Sequence, residues 1–184
     1  MSTLAHELKV DESKPTSFAT ISRILEGRVS GLRMTYVDLI SHKGQYTVES
    51  ILGSHNAAAI LLTVIVPGSK VQQRHWTVLI RQKNARKGNV FQFFDSLAIK
   101  PQSLTRLLND NGKFVNFLKK IKAKMSVKQL QEDIKKVRTC GAWISVRAAK
   151  YKLTNAEFVR WILSERNSTG DLTVIRLCYL GLLT

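Results

Sequence analysis

Apolar and polar positions along the chain follow two periods, and the switches between them mark out the elements. Phe18, Ile21, Ile24 and Leu25 recur at helical spacing, behind Pro15, Thr16 and Ser17 and ahead of Gly27, so a helix is expected between those signals. Residues 36–51 mix short apolar and polar pieces and read as loop with a short helix. Residues 57–66 (AAAILLTVIV) are almost wholly apolar, rich in branched side chains and stopped by Pro67-Gly68, the pattern of a strand buried on both faces. Further strands are expected at 76–81 and 90–94, joined by the polar, basic segment QKNARKGN. Pro101 precedes a helical pattern through Leu104, Leu107 and Leu108, another short helix covers 114–121, and 126–130 suits a strand. Helices are expected at 141–151 and at Asn155–Ser164, where Thr154 can cap and Phe158, Trp161 and Ile162 line the apolar side. The apolar stretch 172–183 fits either strand or helix. Central strands with helices around them predict an α+β protein.

No repeat, low-complexity tract or linker divides the chain, so residues 1–14 read as a polar arm and 15–184 as one domain. With 44% hydrophobic residues the chain can build a core, yet its longest apolar run is about half of the roughly 20 residues a membrane helix needs. The opening MSTLAHELKVDESK mixes charges and lacks the apolar centre of a secretory signal. Cys140 and Cys178 are too few for a disulfide framework, which points to reducing, intracellular surroundings, and too few for a structural zinc site. Against 13 Asp and Glu stand 29 Lys and Arg, a formal charge of +16 that favours polyanions, nucleic acid above all. The candidate nucleic-acid contacts are Lys119, Lys120, Lys122 and Lys124, within a basic block from Lys113 to Arg138, and Lys83, Arg86 and Lys87 around the expected hairpin tip. No helix-turn-helix, zinc-knuckle or RNA-recognition pattern accompanies them.

Three segments carry chemistry: RHWTVLI from Arg74, FQFFDSL from Phe91 and VRTCGAW from Val137. A hairpin turn centred near Ala85 sets His75 directly opposite Asp95, with Cβ atoms about 4.5–5.5 Å apart. A carboxylate there fixes the imidazole tautomer and stabilises the imidazolium. Cys140 opens a helical pattern after Thr139, where the helix dipole and free N–H groups lower a thiol's pKa, and a neighbouring imidazolium lowers it further. Gly141 permits the close backbone approach that binding an extended peptide requires. Cys178, inside VIRLCYLGLL, reads as core packing.

The series HW, an apolar strand, a second strand ending FDS, and a downstream glutamine followed by TCG-x-W resembles the adenovirus-proteinase-like cysteine peptidases, a superfamily that also contains the SUMO-specific proteases. The likeness runs from about Thr16 to Leu163, and the form from Thr139 to Arg147 is most similar to maturation proteases of large DNA viruses, virophages and Polinton-type elements. It implies a papain-like, adenain-like fold: a central mixed sheet flanked by helices, with the nucleophile at the N-terminus of a central helix. It implies Cys140 as nucleophile, His75 as general base, Asp95 as its orienting partner, Trp76 as a wall of the substrate groove and Asp38 as an acidic position at the groove mouth. The family places its oxyanion-hole glutamine six or seven residues before the cysteine, where this chain has Ile134 and Asp133. The nearest glutamines are Gln131, just past the expected strand, and Gln129, so Gln131 is the first choice and Gln129 the second.

The activity implied is a viral maturation endopeptidase acting on capsid or core precursors at extended, glycine-containing sites. It would work as a monomer within the virion and host cell, without an obligatory cofactor, and with DNA or an activating peptide as possible stimulants. Two alternatives stand beside it: a deconjugating protease for SUMO- or ubiquitin-like proteins, and a non-catalytic, basic packaging protein.

Overall fold

The computed structural model describes residues 16–65, 72–132, 138–165 and 170–180. Five strands hydrogen-bond in sequence order: β1 (Met34–Asp38), β2 (Ala57–Ile65), β3 (Gln72–Asn84), β4 (Gly88–Phe94) and β5 (Lys124–Met125). The outer pairs β1–β2 and β4–β5 are parallel and the inner pairs antiparallel, which makes the sheet mixed. Strand β2 is buried on both faces, as its almost wholly apolar run requires. Ala57, Ala59 and Leu61 enter one core, and Ala58, Ile60, Leu62 and Val64 the other.

Helices cover both faces. On the first lie α1 (Phe18–Leu25), α5 (Cys140–Ala149), α6 (Asn155–Ser164) and α7 (Gly170–Leu180), packed on Trp76, Val78, Ile80 and Phe94. On the second lie α2 (Val48–Leu52), α3 (Pro101–Leu108) and α4 (Lys113–Lys120), packed on Leu79, Phe91 and Phe93. The molecule is therefore an α+β protein with a five-strand mixed sheet between helices. All residues of α5 are buried, the condition of a helix wrapped by other elements rather than laid on a surface. Helix α1 starts at Ser17, whose hydroxyl accepts the Thr20 N–H, and α6 starts in a capping box formed by Thr154 and Glu157.

Three expectations are corrected. Residues 34–38, read partly as loop, form β1. This edge strand is too short to show a period, and its pairing with β2 is a long-range contact. Residues 126–130 do not form a strand: β5 stops at Met125, because the Ser126 side chain turns to the backbone of Asp95. The stretch left open between strand and helix is helical as α7 up to Leu180. Residues 1–14, Pro15, the Pro67-Gly68 stop, Asp133, Ile134 and the last residues of the apolar tail lie outside the described residues. Among the described residues no helix is long and apolar enough to cross a membrane.

Candidate active site

Strand β3 outruns β4. Their ladder ends at Val78↔Phe94, a register two residues away from the expected one, which keeps every side chain on its expected face. His75 is therefore not directly opposite Asp95. Asp95 is the first residue past β4, and it reaches His75 on the diagonal, where cross-strand partners still meet. His75 Nε2 donates to Asp95 Oδ1 at 2.7 Å, and both residues are buried. Ser126 explains why β4 ends there: its hydroxyl accepts the Asp95 N–H at 2.9 Å and donates to the Asp95 carbonyl at 2.8 Å, replacing the ladder bonds. The carboxylate is held further by the N–H groups of Leu97, on Oδ1 at 2.9 Å, and Ile99, on Oδ2 at 3.0 Å.

Cys140 is the first residue of α5, with Thr139 as N-cap. Its sulfur faces the His75 imidazole and the backbone N–H groups of Trp76 and Gly141. With Nε2 given to Asp95, Nδ1 is the imidazole nitrogen left for the thiol. Burial pushes the Cys140 pKa up, but the His75 contact and the two N–H groups outweigh it, and the thiol titrates below its ordinary value. For His75 burial works downward; Asp95 and Cys140 oppose it and raise the pKa to about 10. Asp95 sits below its ordinary value, its burial outweighed by His75 and by the Leu97 and Ile99 N–H groups. The three groups form one buried row, in which the His75 imidazolium and the Asp95 carboxylate are the forms present at neutral pH and the balance at Cys140 is shifted toward the thiolate.

Gln131 and Gln129 differ in setting. Gln129 is exposed and spends Nε2 on the Gln131 carbonyl at 3.0 Å. Gln131 is buried, and its Oε1 accepts the Ser96 hydroxyl at 2.7 Å, which leaves Nε2 as the donor end. The backbone N–H groups of Leu130 and Gln131 both donate to the Ser96 carbonyl, so this loop is fastened to the residue after Asp95. On its other side, Glu132 N–H donates to Asp171 Oδ2 at 2.7 Å. Asp171 Oδ1 in turn accepts the Thr139 hydroxyl and, at 2.8 Å, the Trp143 indole N–H.

Of the expected groove residues, Trp76 and Gly141 adjoin the nucleophile, and Asp38 stands on β1, two strands from Trp76. Trp76 is buried, and its Nε1 donates to the Thr16 carbonyl at 2.7 Å. A Cβ on Gly141 would lie 2.3 Å from Thr16 Cβ, so the close approach that this glycine permits is made by the chain's own Thr16. Asp38 stands level with Trp76 across Leu61 and pairs with Arg74 at 3.1 Å. Tyr36 connects the two, with its ring 5.6 Å from that of Trp76.

Other marked residues sit apart from this chemistry. Arg147 is fully buried and donates to Asn155 Oδ1 and to the carbonyls of Lys150 and Leu153, tying α5 to the start of α6. Cys178 lies against the Ala142 carbonyl, and burial pushes its pKa up to about 12, so it remains a thiol. The basic candidates Lys83, Arg86, Lys87, Lys119, Lys120, Lys122 and Lys124 are all exposed. A cavity of about 630 Å³ is lined by Arg33, Arg81, Lys83, Tyr151 and Lys152; of the candidate residues it includes Lys83 and none of Cys140, His75, Asp95 and Gln131.

Sequence reasoning missed Thr16, Ser96, Ser126 and Asp171. Ser96 belongs to the FDS segment that drew attention to Asp95, whereas no spacing connects Asp171 to the cysteine 31 residues before it. No known family model matches this chain, and no curated protein matches it.

Proposed function

We propose that the protein is a cysteine endopeptidase of the adenovirus-proteinase-like kind, with Cys140, His75 and Asp95 as its triad. The observation that carries this is the buried row itself: a thiol at the first position of α5, its pKa lowered, touching an imidazole whose other nitrogen is fixed on a buried carboxylate. A structural cysteine needs none of these three features.

In this mechanism the Cys140 thiolate attacks a peptide carbonyl and forms a C–S bond. The developing oxyanion takes hydrogen bonds from Gln131 Nε2 and the Cys140 backbone N–H. His75 gives its Nδ1 proton to the leaving amine as the C–N bond breaks, and the acyl group stays on sulfur as a thioester. His75, now neutral, takes a proton from water, whose oxygen attacks the thioester, and the acid product leaves as the thiolate returns. Asp95 stays ionised throughout and holds the ring.

The order of the HW, FDS and TCG-x-W segments supports viral capsid or core precursors as substrates, with a papain-like fold around the triad. The high positive charge supports DNA as a stimulant. The test is mass spectrometry of candidate precursors co-expressed with wild type or Cys140→Ala. New termini that appear with wild type alone are expected; the same termini with Cys140→Ala would dispose of the assignment. A parallel incubation with SUMO conjugates separates the deconjugating alternative.

A further inference from the structure

The Thr and Trp of the TCG-x-W segment share one partner on α7. Both Thr139 and Trp143 donate to Asp171 Oδ1, and the Glu132 N–H donates to Oδ2. Asp171 is 0% exposed, and each of these contacts crosses from α7 to another part of the chain. A second observation concerns its neighbour. A Cβ on Gly170 would lie 2.9 Å from the Leu130 carbonyl oxygen and 3.1 Å from the Trp143 ring, so a glycine lets α7 begin pressed against this loop and this ring. One carboxyl group thus grips the residue before the nucleophile and the residue after the oxyanion candidate.

We propose that Asp171 is the positioning residue of the site, fixing how far the Gln131 amide stands from the Cys140 sulfur. This rests on the peptidase assignment for its consequence, though not for its geometry. The distance between an oxyanion donor and a nucleophile must be held to a fraction of an ångström. Gln131 and Cys140 belong to separate segments, and Ser96 anchors only the Gln131 side. Asp171 supplies the cross-connection, because its two oxygens face the two segments separately.

Asp171→Asn in the full chain tests this, because it splits the two grips. The Asn Oδ1 can still accept from Thr139 and Trp143, but its NH2 cannot accept the Glu132 N–H. With an internally quenched peptide carrying glycine on the acyl side, kcat is expected to fall about 10²–10³-fold, the loss typical of one oxyanion donor, with KM within about threefold. Iodoacetamide alkylation of Cys140 needs no oxyanion donor and should stay within about threefold of wild type. Adding Asp171→Asn to Gln131→Ala should cost little more than Gln131→Ala alone. Unchanged kcat in a wild type that cuts, losses that multiply in the double variant, or alkylation that collapses with kcat would each overturn the proposal while leaving the peptidase assignment standing. Hydrogen exchange serves as a readout without any substrate. The Glu132 amide should exchange at least about tenfold faster in Asp171→Asn, and unchanged exchange refutes the positioning role even if wild type cuts nothing. Faster exchange in a protein that cuts nothing would support the positioning and remove the peptidase assignment.

Discussion

At the scale of single residues, His75 carries opposing demands. Burial favours the neutral ring, while a carboxylate on one nitrogen and a thiol at the other favour the charged one, and the second influence wins. The pair should show itself in pH dependence. Cys140 should react with iodoacetamide below its ordinary 9.0, and in His75→Ala the acid limb should move upward, since burial is then opposed only by the Trp76 and Gly141 N–H groups. A limb that stays in place would show that the imidazole does not lower the thiol's pKa. Stability follows the same groups with opposite signs. The raised pKa of His75 gives stability that is complete below its ordinary 6.5 and lost as pH rises through about 10. The depressed pKa of Asp95 gives stability present above its ordinary 3.8 and lost as pH falls through the native value. The melting-temperature gap between wild type and Asp95→Asn should therefore be widest between these ordinary values and narrow on both sides. A gap independent of pH would mean that the pair is not ionised. Cys140, His75 and Asp95 were legible in the sequence because strand ends and a helix start constrain them locally. Asp171 was not, because its role depends on where α7 packs.

At the scale of elements, legibility followed how local the cause was. The start of α6 was readable because Thr154 and Glu157 cap it within one turn, and β2 because both its faces are apolar. The end of β4 fell at Phe94 as expected, but its cause was not readable, because Ser126, far along the chain, supplies the bonds that stop it. Two joints between elements can be tested. Gly141→Ala puts a Cβ 2.3 Å from Thr16 Cβ and should cost about 1–3 kcal/mol by overpacking between α5 and the entry to α1. Thr16→Gly should restore most of the lost melting temperature; no rescue would place the strain elsewhere. Asn155 is the second joint. It accepts from Arg147, donates to the carbonyls of Phe93 and Lys124, and takes Gln92 Oε1 on its N–H. Asn155→Ala leaves a buried guanidinium and two carbonyls short of partners, so a loss of about 2–5 kcal/mol is expected in chemical denaturation. A loss below about 1 kcal/mol would mean that solvent reaches these groups.

At the scale of the whole molecule, the fold separates two basic clusters that look alike in sequence. Lys83, Arg86 and Lys87 surround the β3–β4 turn, about ten residues along β3 from His75, which at 3.3 Å per residue is roughly 30 Å away. Lys119 and Lys120 end α4, and Lys124 lies on the edge strand β5, paired with Gln92 only three residues before Asp95. From Lys124 the chain goes on to Ser126, which holds Asp95, and to Gln131. DNA bound along α4 and β5 would therefore lie beside the segments that build the site, and DNA on the hairpin tip would not. Neutralising Lys119, Lys120, Lys122 and Lys124 with Gln should reduce the slope of log affinity against log salt by about 3–4, near 0.9 for each phosphate that the protein no longer neutralises, and should abolish any DNA stimulation of kcat/KM. The Lys83, Arg86 and Lys87 variant should weaken DNA binding while leaving the stimulation at saturating DNA intact. If wild-type affinity is flat between low and physiological salt, neither cluster touches phosphate and the charge has no role in DNA binding. If the two variants behave alike, the charge acts as a diffuse field, and its position on the fold carries no information about the site.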